Sequence, residues 1–261
     1  MYEGEEKCKR GLVSTLIVNF FVSLCRMSYL NTENIARSKG DIEYHPLRPF
    51  LPKNARVLFL GSFPPQRKRW CIDFFYPNWI NDHWRIEGEV FFGDRNHFVL
   101  EKEKRFNLDE IVRHCEEKGL AFFDTSTAVR RLQDNASDKF LEVVEPTDIA
   151  ALIARLPFLR AIVTTGEKAT QTICASLGIP EVPKVNASVA LPASPVPSKG
   201  GVKQSSTNIN GDAGEVSPSP TGEGRGEAVL LWRLPSSSRA YPLSFEKKVE
   251  AYRKMFDAVL R

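Results

Sequence analysis

The sequence lacks paired cysteine. Cys8, Cys25, Cys71, Cys115 and Cys174 are scattered over 261 residues with no Cys-x-x-Cys and no Cys/His set at metal-ligand spacing. An odd, dispersed count argues against a structural zinc or an iron–sulfur cluster. It argues for free thiols in a reducing compartment, so the expected localisation is cytoplasmic. Histidine is nearly as scarce, and His45, His83, His97 and His114 share no metal spacing either, so no metal site is expected. Gly-x-Gly-x-x-Gly and Gly-Lys-[Ser/Thr] are missing, which removes support for a nucleotide phosphate cradle. Without Gly-x-Ser-x-Gly, a serine hydrolase is a poor fit. The apolar run from Leu12 to Cys25 is too short to span a bilayer comfortably, so no membrane partner is expected. Charge of one sign hardly dominates: 36 basic against 32 acidic residues leave +4, which suits a polyanionic partner without demanding one. What is present is a 42% hydrophobic composition, enough to bury a core, in a length that suits one large domain or a medium one with extras.

Two segments stand apart from the folding unit. In residues 1–26, Lys7-Cys8-Lys9-Arg10 precede an apolar run with the length of a signal-peptide core. Glu3, Glu5 and Glu6 spoil a positive n-region, however, and Leu24 rather than a small residue precedes Cys25. The favoured reading is an atypical extension or a mis-assigned start, with the working chain beginning near Met27; an export signal is the lesser reading. Residues 187–228 are rich in Pro, Gly and Ser and contain no aromatic residue. Such a segment buries too little apolar surface to offset its ordering entropy, so it reads as a disordered insertion in a single domain spanning 27–261.

The remainder alternates strand and helix. Val57–Leu60 is a continuous apolar run, as a strand buried on both faces requires. Helices are predicted from Asp82 to about Glu89 and over Asn107–Lys118, where Asn107 caps, Glu110 follows three residues on and Gly119 stops. Leu120–Phe123 reads as a strand ending at Asp124, Asp148–Arg155 as a helix and Ala161–Thr164 as a third strand. Helix Glu167–Leu177, strand Val229–Leu234 and an amphipathic helix over Ser244–Leu260 complete the pattern. Strands separated by helices imply right-handed crossovers. The predicted fold is therefore α/β, a three-layer α/β/α sandwich around a four-stranded parallel sheet. Ligands of such folds bind outside the carboxyl ends of the strands. That rule singles out residues 61–65, 124–127, 164–166 and 235–239.

Each rim element has a functional and a plain reading. Gly61 permits a tight turn that brings N–H groups near a ligand, or only a strand-to-loop turn. The stretch "FFYPNWINDHW" crowds rings and amides where Pro and Asn forbid a regular element. Trp84 and Phe91 are expected in the core. Tyr76 on the rim suits stacking on an extruded base, and Asn78 and Asn81 suit reading its edge, unless they serve only turn chemistry. Asp124 is the best placed of the rim carboxylates, ahead of Asp73 and Asp82, and its alternative role is a helix cap or loop anchor. Ser236, Ser237, Ser238 and Arg239 suit phosphate contacts, or form a serine-rich connection.

Taken in order, "LFLGSFPP", "FFYPNWINDHWRI", "GLAFFDTSTAVRR", "LRAIVTTGEKA" and "LLWRLPSSSRAYP" resemble the uracil-DNA glycosylase superfamily, in particular its hypoxanthine-DNA (deoxyinosine) and mismatch-type branch. The resemblance covers about Leu47 to Leu260 apart from the insertion. It implies the uracil-DNA glycosylase-like fold and a monomeric enzyme of base-excision repair without metal or cofactor. Such an enzyme flips a deaminated base, uracil or hypoxanthine, out of DNA and hydrolyses its N-glycosidic bond. Asn81 is then the catalytic residue, and Tyr76 the ring that stacks on the flipped base. Gly61, Ser62, Phe63 and Asp124 bind substrate. Ser236, Ser237, Ser238 and Arg239 match the loop that pinches the DNA backbone and fills the gap left by the base. Arg67, Lys68, Arg69 and Trp79 are expected to face that backbone. Phe63 stands in a position where other branches carry a catalytic Asp or Asn, so Asn81 carries more of the chemistry. Ile80 and His83 replace the usual Arg and Phe around Asn81, Pro65 replaces Ser, Thr165 replaces Asn, Leu234 stands where some relatives have His, and Arg239 replaces a common Pro. Two rivals remain: a non-catalytic DNA-binding relative and a hydrolase of small nucleosides.

Overall fold

Four apolar residues in a row, Val57 to Leu60, leave a strand no polar face. In the computed structural model all four are fully buried, which requires cover on both sides of the sheet. The structure describes residues 41–133, 140–191 and 228–261. The expectation for residues 1–26 lies outside them, as does that for 192–227.

Strands β1 (Ile42–Tyr44) and β2 (Val57–Gly61) are followed by a short 3-10 turn at Arg67–Arg69 and helix α1 (His83–Phe92). A small hairpin, β3 (Val99–Leu100) with β4 (Arg105–Phe106), leads to α2 (Leu108–Lys118). Next come β5 (Leu120–Asp124), β6 (Ser126–Arg131), β7 (Leu141–Pro146), α3 (Ile149–Ala154), β8 (Ala161–Thr164) and α4 (Glu167–Leu177). Strands β9 (Ala187–Ala190) and β10 (Leu230–Arg233) precede the last helix, α5 (Phe245–Leu260).

The main sheet runs β5-β2-β8-β10-β9. The first four strands are parallel, as the sequence predicted. The fifth is a difference: Ala187–Ala190, the start of the segment expected to be disordered, pairs antiparallel with β10 as an edge strand. Backbone pairing with an existing edge orders these four residues despite their weak apolar content. Right-handed crossovers place α1 and α2 on one face and α3 and α4 on the other. Phe256 of α5 meets Phe59 of β2 on the same side as His83 of α1, which completes three layers. Helix ends follow the expected local chemistry. Asn107 accepts the Glu110 N–H, and Gly119 ends α2 at φ 68°, where a Cβ would collide with the Asn54 carbonyl.

A second sheet, antiparallel β1-β6-β7, was not predicted. Its inner face carries Val129 and Leu141, which cluster with Phe63 from the loop after β2. Arg131 grips Glu43 through two hydrogen bonds of 3.0 Å and donates a third, at 3.2 Å, to the Pro64 carbonyl. This sheet therefore clamps the loop that leaves β2. Among the described residues no helix is long and apolar enough to cross a membrane.

Candidate active site

The chain leaves β2 toward β5 on one side and later returns to β8 on the other, so the strand order reverses beside β2. A crevice opens at such a reversal. Here it is a cleft of about 1220 Å³ lined by residues 61–65, 75–78, 80–81, 123–124, 165–168 and 233–242, with Arg69, Arg131, Gln171 and Val185. All the rim segments predicted from the sequence meet there. Its charged lining residues are Arg69, Arg131, Lys168, Arg233 and Arg239 against Asp124 and Glu167, with Arg131 and Arg239 already ion-paired to Glu43 and Asp82.

Asp124 ends β5 beside Gly61, with which it pairs in register. Its Oδ2 accepts a 2.8 Å hydrogen bond from His45 Nε2. His45 Nδ1 lies 2.8 Å from the Leu47 carbonyl and 3.1 Å from the Leu47 N–H, so backbone on that side holds the ring with Nε2 toward the carboxylate. The ring of His45 is wedged between Phe63 and Phe123, with centroids at 5.3 and 4.6 Å. Asp124 is thus both a cleft residue and an anchored one, and neither reading of it excludes the other. The sequence reading missed His45. It lies 79 residues from its partner, and no spacing rule joins them.

Gly61 is needed for this arrangement, because a Cβ on it would run into Asp124 Oδ1. With the carboxylate buried and tied to His45, it has little room to yield. Gly61→Ala is expected to keep the fold, lower stability by about 1–2 kcal/mol and displace Asp124. Any activity that depends on Asp124 should then fall together with the melting temperature; an unchanged melting curve and unchanged activity would remove the constraint.

Tyr76 adopts φ 48°, a left-handed conformation rare for a bulky residue and a mark of local over-determination. Its hydroxyl is 2.9 Å from Thr165 Oγ1, and its ring stacks on His83 at 3.6 Å and 12°. One ring face is therefore occupied, so a ligand can stack only on the face turned away from His83. His83 belongs to a buried cluster with Glu87 and His114. His114 Nε2 donates to Glu87 Oε2 at 2.9 Å. His83 Nε2 lies 3.0 Å from Oε1, close but poorly aligned for a hydrogen bond. Burial pushes the Glu87 carboxyl up, but the His114 hydrogen bond and the neighbouring His83 outweigh it and hold it at about 2. Burial lowers the proton affinity of His83, against the raising effect of Glu87 beside it.

Asn81 Oδ1 accepts the His83 N–H at 2.9 Å and so takes up the first N–H of α1, one residue before the Asp82 N-cap. Its amide NH2 has no partner among the described residues, and it lines the cleft. The serine loop is strapped to this point. Asn81 and Ser238 form a β-bridge, and the Asp82 N–H donates to the Ser237 carbonyl at 3.0 Å. Arg239 Nε donates to Asp82 Oδ1 at 2.8 Å, and buried Lys248 donates to the Ser238 carbonyl at 2.8 Å. Ser237 is buried, while Ser236 and Ser238 are half-exposed.

The remaining sequence candidates divide between the cleft and the rest of the molecule. Ser62 and Phe63 line the cleft but are buried. Arg67 and Lys68 are exposed outside it, with Arg67 paired to Asp73 at 2.8 Å and set over Trp70; Arg69 alone of that trio lines the cleft. Trp79, expected to face DNA, packs on Phe106 beneath the Arg85 guanidinium instead. Trp84 is in the core and Leu234 is buried. No group of three or more His, Cys, Asp or Glu among the described residues is placed to hold a metal ion.

The chain matches no family model and no curated protein. Among solved structures it is similar to the solution NMR structure of a candidate uracil DNA glycosylase from Methanosarcina acetivorans. The identity is 19%, the coverage 83% of this chain and 99% of that one, and the TM-score 0.46. At that TM-score the likeness adds no weight, and the fold stands on the strand order and register above.

Proposed function

We propose that the protein is a DNA glycosylase that hydrolyses the bond between a deaminated base, uracil or hypoxanthine, and deoxyribose. One observation carries the reading. Segments that resemble glycosylase motifs, far apart in sequence, line one cleft at the strand-order reversal, and two of them are joined there by the Asn81–Ser238 bridge. The base must leave the stack, at a cost of roughly a few kcal/mol that is least at mispairs. Tyr76, rigidly backed by His83, offers it a ring face. Negative charge grows on the base as the bond breaks, and a fixed dipole aimed at that charge lowers the barrier. The Asn81 NH2 is such a dipole, since its oxygen is committed to the helix. The Asp124 carboxylate accepts from a ring N–H of the base, while His45 holds it in place. The basic lining residues and the serine loop face the DNA phosphates.

The test is a panel of duplex oligonucleotides carrying uracil, hypoxanthine or xanthine opposite each normal base. Abasic sites are expected at uracil or hypoxanthine, most readily in mispairs. Salt-sensitive duplex binding without base release would leave a binding protein instead. Release only from free deoxynucleosides would make it a nucleoside hydrolase.

A further inference from the structure

Among the described residues, Ile80 is the one exposed large apolar side chain that also lines the cleft; it is 53% exposed. A single exposed isoleucine is ordinary on a protein surface. This one is held unusually firmly. Its N–H donates to Asn78 Oδ1 at 3.1 Å, and the next N–H, of Asn81, donates to the Asn78 carbonyl at 2.8 Å. The carbonyls on either side of it, those of Trp79 and Asn81, both accept from the buried Arg85 guanidinium, at 2.9 and 3.3 Å. Arg85 is itself seated over Trp79 and Phe106. The turn therefore presents an apolar, β-branched side chain with little freedom to collapse onto the protein, immediately beside the Asn81 amide.

Arg239 is the residue expected to fill the gap left by a flipped base. Its guanidinium, however, is bonded to the nearly buried Asp82 carboxylate, whose side chain is 8% exposed. Swinging into DNA would leave that carboxylate without its partner, a costly loss for a buried charge. Ile80 carries no such obligation.

Resting on the glycosylase reading, we propose that Ile80 is the wedge that enters the base stack when the target base is extruded. An apolar side chain in the vacated space keeps water out and opposes the return of the base. Its stiffness at χ1 means that little side-chain entropy is lost on insertion.

The experiment compares the full chain with Ile80→Ala and Ile80→Leu on the same lesion in duplex and in single-stranded DNA. A single strand has no paired stack to fill. The duplex-to-single-strand ratio of excision rates is expected to fall about tenfold in Ile80→Ala and to recover in Ile80→Leu. A parallel loss on both substrates, or no loss, overturns the wedge. A readout free of chemistry separates this from the parent reading. With 2-aminopurine beside the lesion, binding of the unaltered protein should raise fluorescence several-fold, and Ile80→Ala should lose most of that rise. Fluorescence without base release would sink the glycosylase reading and keep the wedge. Base release with equal fluorescence from both proteins would do the reverse.

Discussion

Asn81→Asp is expected to fold like the unaltered protein and to lose base release by about 10²–10³-fold, the usual cost of deleting one preorganised donor. The prediction separates two functions that share one side chain. The Asn81 oxygen accepts the His83 N–H at the start of α1, and an aspartate oxygen does this equally well at a helix N-terminus. The amide NH2, unpartnered among the described residues, is what the substitution removes. It also puts negative charge where the departing base is gaining it. Asn81→Ala should show the same loss of rate plus about 1 kcal/mol of stability from the lost acceptor at the helix start. Single-turnover excision and thermal melting on the pair distinguish the effects. If Asn81→Asp retains activity within about threefold, the residue acts through its oxygen, as an orienter of water, and the donor role is wrong.

Glu87→Gln is expected to lower stability at neutral pH by about 3 kcal/mol, the scale of breaking a buried charged cluster. The carboxylate lies between His83 and His114, with all three side chains nearly or wholly buried, so an amide must point its NH2 at one imidazole or the other. The pH dependence has a definite sign. Folded Glu87 takes up its proton near pH 2, against 4.5 for an ordinary carboxyl. The unfolded chain therefore binds more protons in that window. The stability from Glu87 is complete above about 4.5 and is lost as pH falls toward 2, by about 3 kcal/mol in all. His83 acts in the same direction from higher pH. Its folded proton affinity lies below the ordinary 6.5, so stability is lost as pH drops through that value. Urea unfolding from pH 7 to pH 3 should show the steeper acid loss in the unaltered protein and a shallower one in Glu87→Gln. Equal slopes would mean that Glu87 is not the group being protonated. Because His83 backs Tyr76 at 3.6 Å, base release should weaken in this variant even where it remains folded.

The elements that the sequence determined are those with a signature inside one short window. The apolar runs of β2, β5 and β8, the Asn107 cap with its Gly119 stop, and the 3–4 periodicity of α5 each satisfy a local rule. The parallel order of strands separated by helices then follows from crossover handedness. The positions of the rim residues come with it, since a strand's carboxyl end is a property of the chain. Tertiary structure decided what local rules do not reach. In the β1-β6-β7 sheet, β1 has only three residues, β7 exposes most of its length, and β6 sets Arg130 and Arg131 directly after Ala128 and Val129, so no clean alternation marks these strands until partners are in place. His45 meets Asp124 across 79 residues, and Arg239 meets Asp82 across 157. Those pairings set which polar groups are committed and which remain for a ligand. The rings of Phe74 to Trp84 show the same division. Their crowding, the core place of Trp84 and the rim place of Tyr76 were legible, but only packing sends Phe74 and Phe75 into the core, places Trp79 under Arg85 and leaves Ile80 at the cleft, because burial is a property of the neighbours a residue acquires.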